Sequence, residues 1–549
     1  GAGVALPVLR RTGVRVPRHP VVADADLSGL GVDGVRVARD EERVLEDEEV
    51  DPGPIDDRVR REPEDDLAAH PERDDVEEHR RRALQQLRLL LEAPRELLHV
   101  ARDLDLVEAL EDALALHVAR MRGGVLALGP EVGAAMLADV DGGLQRVVGA
   151  LAELEVDGVI EEVSQTTQLP ADLNIIPAQH LILAPGLVDL YSHSGTPGHE
   201  ERETIGSLLA AATAGGFVRL NILPDTLPAL DRASSIVSLD REYHQIAAQI
   251  PNCPQLGYWG ALTEGVEGKT MTELAELATT NISGWADGHS IANPALIRRL
   301  LEYLQPFNRP IGLYALDRQL RGNGIARAGV AALKYGLPVD PVSSEAAALA
   351  ATIEIIAQIG TPVHLMRIST RRGVEIIAAA KQRGVPITAS TTWLHLVANT
   401  TALATYDPNF KLDPPLGTPD DQSALIEGIK MGVLDAIAID HSPYTYEEKT
   451  VAFGEAPPGA IGLELALPLL WQNLVVPGKL SALELWAALS TKPAQCLHQS
   501  PPTQLILFDP QKTWSVTSHN LKSLAHNTAW LGREIMGKVN CQYSRSTYV

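Results

Sequence analysis

Between Gly186 and about Gln499 the chain repeats one pattern eight times, a short apolar run followed by a longer amphipathic one. The short runs are GLVDL (186–190), FVRLNI (217–222), LGYWGA (256–261), ISGWA (282–286), IGLYA (311–315), VHLMRI (363–368), PITAS (386–390) and LDAIAI (434–439). Near-continuous apolar strands alternating with helices belong to a parallel sheet covered on its faces. Helices are expected over 200–214, 236–249, 271–279, 294–304, 344–358, 371–382 and 420–431, with a last one near 463–471. Asn293 ahead of Pro294 reads as a helix start, and Ser343 and Asp420 read the same way. Eight such units predict an α/β fold closed into a (β/α)8 barrel. An open doubly wound sheet is the alternative, and no GxGxxG at the first turn supports it.

Upstream of this repeat the chemistry changes. The first aromatic residue is Tyr191 and the first lysine is Lys269, while residues 1–145 are built mainly from Arg, Asp, Glu, Leu, Val, Ala, Gly, His and Pro. That composition predicts an Arg/Asp/Glu-rich extension, disordered or partly helical, which buries too little apolar area to offset chain entropy. Residues 74–122 are its helix-prone part, interrupted by Pro94. A helical partner-binding arm is the functional reading, and an upstream extension with no evolved core suits the composition better. Strand chemistry begins near VDGVIEEVS (156–164) and continues in LNIIPAQHLILAPG (173–186). It returns after the repeat in QLILFDP, TWSV and LGREIMGKVN. The expected plan is therefore an extension (1–145), a small β-subdomain in two parts (146–185 and 500–549), and the barrel between them (186–499).

A formal charge of −24 argues against nucleic acid or an anionic membrane as partner. Three scattered cysteines, none in CxxC spacing, suit a reducing compartment and exclude a disulfide framework. No apolar run reaches membrane-spanning length and the N-terminus lacks a secretory core, so a cytoplasmic location is expected.

Parallel-barrel enzymes work at the C-terminal ends of their strands, and the stretch PGLVDLYSHSGTPGHEERET (185–204) ends the first of them. It resembles the opening of dihydroorotases, in the amidohydrolase superfamily, where PG-x-x-D precedes His-x-His and an Arg. Tyr191-Ser192-His193 stands at the His-x-His and Gly195 at the Arg. Leu223-Pro224-Asp225-Thr226 resembles a Met-Pro-Asn-Thr turn, with Asp225 where the family's Asn helps hold a substrate carboxylate. Asp287 in Trp285-Ala286-Asp287-Gly288 matches a family carboxylate. Tyr314 and Arg367 fall at ligand-His positions of the fifth and sixth strands, and His364 is kept. Ile439-Asp440-His441-Ser442-Pro443-Tyr444 resembles Thr-Asp-His-Ala-Pro-His, so Asp440 stands at the acid–base position. The resemblance covers roughly residues 150–549.

In that family a metal-activated hydroxide attacks a cyclic amide carbon, because several His and carboxylate ligands lower the bound water's pKa. The resemblance implies zinc if the chain is active, with His193, Asp287 and Asp440 as residual ligands and Asp440 as the catalytic group. The altered positions Tyr191, Tyr314 and Arg367, together with Gly195 and Asp225 in place of the substrate clamps, imply instead a pseudoenzyme of the pyrimidine pathway that binds no metal. Noncatalytic members of the family serve as structural partners of aspartate carbamoyltransferase, and an oligomer of that kind is the implied assembly. The competing expectations are an active dihydroorotase interconverting N-carbamoyl-L-aspartate and dihydroorotate, or another metal-dependent cyclic amide hydrolase with a small-molecule substrate.

Overall fold

The computed structural model describes residues 180–543 and five short strands between residues 126 and 164. The helix expected over 74–122, and the expected disorder as far as residue 125, lie outside the described residues.

Eight strands form one parallel sheet in chain order: β1 (Leu187–Ser192), β2 (Phe217–Ile222), β3 (Gln255–Gly260), β4 (Ile282–Ala286), β5 (Ile311–Tyr314), β6 (Val363–Met366), β7 (Ile387–Thr392) and β8 (Ala436–Ala438). Helices follow the strands, as the repeat predicts. Pro294–Leu304 and Arg371–Gln382 begin and end where expected, the first with the Asn293 side chain accepting from Ala295 N. Two expected caps are displaced. Helix Pro419–Lys430 is capped by Thr418 in a capping box with Asp421, and Ser343 is the first residue of its own helix. A Thr side chain two residues earlier outcompetes Asp420 because Pro419 at the first helical position fixes where the turn begins.

The barrel is nearly closed, and its seam is held from β1. Asp440 N donates to Tyr191 O (3.0 Å) and His193 N to His441 O (2.8 Å). The fully buried Asp189 carboxylate accepts from Ile439 N (2.9 Å) and from Ser192 Oγ (2.5 Å). Burial pushes Asp189 up to about 7, so this seam is made by a carboxyl whose charge is poorly solvated. Val188, Leu190, Tyr191, Trp259, Tyr314, Met366 and Ala438 fill the barrel's inside, whereas Leu208, Phe217, Leu300, Ile353 and Ile377 pack helices against its outside.

Beside the barrel lies a six-stranded sheet in the order 534–543, 505–515, 182–185, 126–129, 134–138, 144–146. Its last three strands come from upstream of residue 146, inside the stretch read from composition as an extension. LALG and AAMLA lack the β-branched and aromatic residues by which strands are recognised; LALG is made a strand by pairing with Ile182–Pro185, and AAMLA by pairing with LALG in turn. Ile160–Ser164, expected in this sheet, instead forms a separate hairpin with Leu151–Leu154. Among the described residues no helix is long and apolar enough to cross a membrane.

Candidate functional site

The C-terminal strand ends bring four charged or titratable groups together. His193 follows β1, Asp225 lies three residues past β2, Arg367 follows β6 and Asp440 lies two residues past β8. His193 Nδ1 is 2.7 Å from Asp225 Oδ2. Arg367 grips Asp440 with two parallel bonds, Nε to Oδ2 (2.9 Å) and Nη2 to Oδ1 (2.6 Å), the strongest geometry for a guanidinium and a carboxylate. The remaining nitrogen, Nη1, donates to Gly288 O (2.6 Å) after β4. His193 Nε2 sits between the two partners of this pair, 3.1 Å from Arg367 Nη2 and 3.4 Å from Asp440 Oδ1.

Arg367 is 5% exposed, so its charge must be met within the protein. Beyond Asp440, the guanidinium lies 5.6 Å from the centre of the Tyr191 ring and 5.4 Å from that of Tyr314. Negative ring faces attract a desolvated cation. Tyr191 Oη accepts from Arg367 N (3.1 Å) and bonds Ser390 Oγ (3.0 Å), which in turn bonds His364 Nε2 (2.8 Å), while His364 Nδ1 meets Thr388 Oγ1 (2.9 Å). Tyr314 Oη donates to Asp413 Oδ1 (2.7 Å), which also receives Arg321 Nη1 (2.7 Å). Arg367 and Asp440 both adopt left-handed backbone, φ 57° and 53°. Such strain persists only where surrounding contacts over-determine it, as the bonds to Arg367 do.

Electrostatics follows from the packing. Burial alone would raise Asp440, but the Arg367 guanidinium and His193 hold it well below the carboxylate range. Burial would depress His193, yet Asp225 and Asp440 on either side raise it to about 9. Burial pushes both phenols up, so Tyr191 and Tyr314 stay neutral. It pushes His364 down to about 3, leaving a neutral ring with both nitrogens bonded.

These contacts decide what the side chains can do. Asp287, expected as a ligand, does not join the cluster. Its carboxylate accepts from Leu262 N (2.8 Å), Thr263 N (3.0 Å) and Thr263 Oγ1 (2.5 Å), and burial raises it to about 6. Asp440 has both oxygens on a guanidinium, and a carboxylate with a depressed pKa is a weak proton acceptor. His193 has one nitrogen on Asp225 and the other facing a cation. Among the described residues no three His, Cys, Asp or Glu side chains are grouped so as to hold a metal ion. The donor set as it stands does not fit a divalent cation, because Asp440 is bonded to the Arg367 guanidinium, His193 to Asp225, and Asp287 to Leu262 and Thr263.

Gly195 and Asp225, expected by resemblance in place of substrate clamps, are engaged within the protein itself. A Cβ on Gly195 would lie 2.3 Å from Glu203 O and 2.4 Å from His199 O, so the turn has packed its own backbone where a side chain would leave. Gly195→Ala is expected to cost about 1–3 kcal/mol, read as a lower urea midpoint. An unchanged midpoint would show that the turn can open. Asp225, expected only to repel a substrate carboxylate, is the partner of His193. The cavity left at the barrel mouth is about 100 Å³, lined by His193, Asp225, His289, Arg367, Asp440 and Tyr444 among others. Small-molecule sites usually begin near roughly 300 Å³. His289 approaches Asp225 at 3.9 Å, and His395 is buried with its nitrogens on Thr392 Oγ1 (2.7 Å) and Pro414 O (3.2 Å).

Sequence reasoning noted Asp413 only as the altered first residue of Asp413-Pro414-Pro415-Leu416-Gly417, which resembles the family's Asn-Pro-Pro-Leu-Arg, and gave it no role. Ser390 carried no signal.

Comparison with known proteins bears on the family and the fold. Residues 180–373 match the family model described as dihydro-orotase-like. A protein of Synechocystis sp. named "Probable dihydroorotase-like protein" is 45% identical over 396 residues, covering 68% of this chain and 90% of that protein. A dihydroorotase of Thermoanaerobacter sp. is 33% identical over 400 residues, covering 71% of this chain and 91% of its own length. Among solved structures, an L-hydantoinase (dihydropyrimidinase) of Arthrobacter aurescens superposes with a TM-score of 0.62 at 19% identity, over 74% of this chain and 92% of that one. At that identity the likeness shows the fold alone.

Proposed function

This chain belongs to the dihydroorotase family of the amidohydrolase superfamily, and on that premise we propose that it is a noncatalytic member acting as a structural partner rather than as a hydrolase. The observation that carries this reading is the Arg367–Asp440 pair. A guanidinium placed between Tyr191 and Tyr314 supplies the positive charge that Asp440 would otherwise take from a metal. Three altered positions thus form one packed arrangement. Substitutions that had merely accumulated would leave buried charges without partners, at a cost of several kcal/mol each.

The residues at this site would have to activate water and hold a cyclic amide with its carboxylate, and their contacts support neither. Asp440 is a depressed carboxylate and the cavity is small. His193 is cationic at neutral pH and already neutralised by Asp225. The partner in this reading is aspartate carbamoyltransferase, and a mixed oligomer in pyrimidine biosynthesis follows from the family's noncatalytic members. A bonded interior that needs no ion leaves the barrel a rigid body suited to that role.

The test is zinc content by mass spectrometry on protein purified without chelator and with zinc added back. Far less than one zinc per chain is expected, together with no hydrolysis of dihydroorotate above background. One or two zinc per chain with activity that Asp440→Asn abolishes would establish an active dihydroorotase instead. The partner is tested separately, by mixing the chain with aspartate carbamoyltransferase from the same source. Co-elution on gel filtration that resists salt is expected, and independent elution would remove the partner from the proposal.

A further inference from the structure

A cavity of about 270 Å³ opens at the opposite end of the barrel, under the N-terminal ends of β2, β3 and β4. Register sets its walls. Arg219 of β2 pairs with Gln255 of β3, and Tyr258 with Ile282 of β4, while Arg309 enters from the turn before β5. Its floor is a hydrogen bond from Ser283 Oγ to Asn221 Oδ1 (2.7 Å) that crosses over Gly257. A Cβ on Gly257 would fall 2.2 Å from Asn221 Oδ1, so the floor exists because that residue has no side chain.

The charges in this pocket are all of one sign. It is lined by Arg219, Arg309 and His498, with Asn, Gln and Ser side chains between them and no Asp or Glu. The chain carries 71 acidic residues against 47 Lys and Arg, so a cavity that gathers two arginines and no carboxylate is against the average. Arg202, Arg321, Arg367 and Arg371 each pair with a carboxylate. Arg219 and Arg309 form no ion pair among the described residues. Arg219 donates Nη1 to Ser500 O (2.6 Å) and, at 3.4 Å, to Gln499 Oε1. Arg309 makes only one long bond, Nη1 to Ile282 O at 3.4 Å. Both forks keep unused N–H donors beside an open volume. Burial lowers Arg219, and no opposite charge offsets it.

We propose that this pocket binds a phosphate dianion, free or as the terminal group of a polar small molecule. Two guanidinium forks match the charge and the oxygen geometry of a phosphate. The exposed amide side chain of Gln255 is suited to hydroxyls on the rest of such a molecule. The site is independent of the reading given for the other end of the barrel, and its failure leaves that reading untouched.

The experiment is calorimetric titration of the full chain with inorganic phosphate and with ribose 5-phosphate, at constant ionic strength set by sodium chloride. One site per chain is expected. Arg309→Gln should weaken binding about ten-fold or more, the scale of one lost charged hydrogen bond, while leaving the unliganded melting temperature unchanged. Arg219→Gln should weaken it similarly and serves as the second variant. Tighter binding of ribose 5-phosphate identifies a phosphomonoester site, and equal binding identifies a free-anion site. Absence of binding by both probes, or wild-type affinity in Arg309→Gln, overturns the proposal.

Discussion

Arg367→Met is expected to lower the unfolding free energy of the barrel by about 3–5 kcal/mol, the usual cost of removing one partner from a buried charge pair. Methionine keeps most of the volume and, like arginine, has a Cβ, so the left-handed backbone at this position is equally strained before and after. What changes is charge. Asp440 loses two hydrogen bonds and its counter-charge, Gly288 O loses its donor, and two phenol rings lose their cation. The double variant Arg367→Met/Asp440→Asn should recover a large part of the loss, because the cost lies in the stranded carboxylate rather than in the missing contact. Urea unfolding followed by tryptophan fluorescence reads both. A single variant costing less than about 1 kcal/mol, or strict additivity in the double, would mean that the pair is solvated and that Arg367 does not organise the site.

The same pair shows where a sequence stops being informative. Eight buried parallel strands leave an unmistakable trace, because each must be apolar on both faces, and helix limits such as Asn293–Pro294 are written in single residues. Strands at 126–146 leave no such trace, since they carry no β-branched or aromatic residue and become strand only by pairing, the first with Ile182–Pro185 and each of the others with the strand before it. At the site, the sequence gives residue types at strand ends but not what each is bonded to. Asp287, expected as a ligand by resemblance, is consumed by Leu262 N, Thr263 N and the Thr263 hydroxyl. Asp225 looks like a repulsive substitution until His193, 32 positions away, is found against it. Tyr314 and Asp413 are 99 positions apart and Tyr191 and Ser390 are 199 apart, and each pair meets only in the folded barrel. Changed positions could be read singly, whereas their mutual satisfaction is a property of the fold.

His193 provides the sharper test of that mutual satisfaction, through pH. Its two anionic neighbours raise it from about 6.5 in the unfolded chain to about 9. Stabilisation by a raised imidazole is complete below pH 6.5 and is lost as pH rises through 9. The wild type should therefore lose about 2–3 kcal/mol of stability over that interval from this group. His193→Gln should lack that component. Comparing the two slopes removes the contributions of Asp189, Lys449 and Glu464, which also titrate near 7. The geometry makes the outcome informative. A charged imidazole can only donate from Nε2, so its partner is Asp440 Oδ1 at 3.4 Å, whereas a neutral one would accept from Arg367 Nη2 at 3.1 Å. Two carboxylates against one guanidinium favour the cation, giving two positive and two negative groups in a closed set. A His193 resonance titrating near 9 in heteronuclear NMR would fix that balance. Titration near 6.5, with equal pH slopes in both proteins, would leave Asp225 as the uncompensated charge and make the cluster a weaker structural unit than its distances suggest.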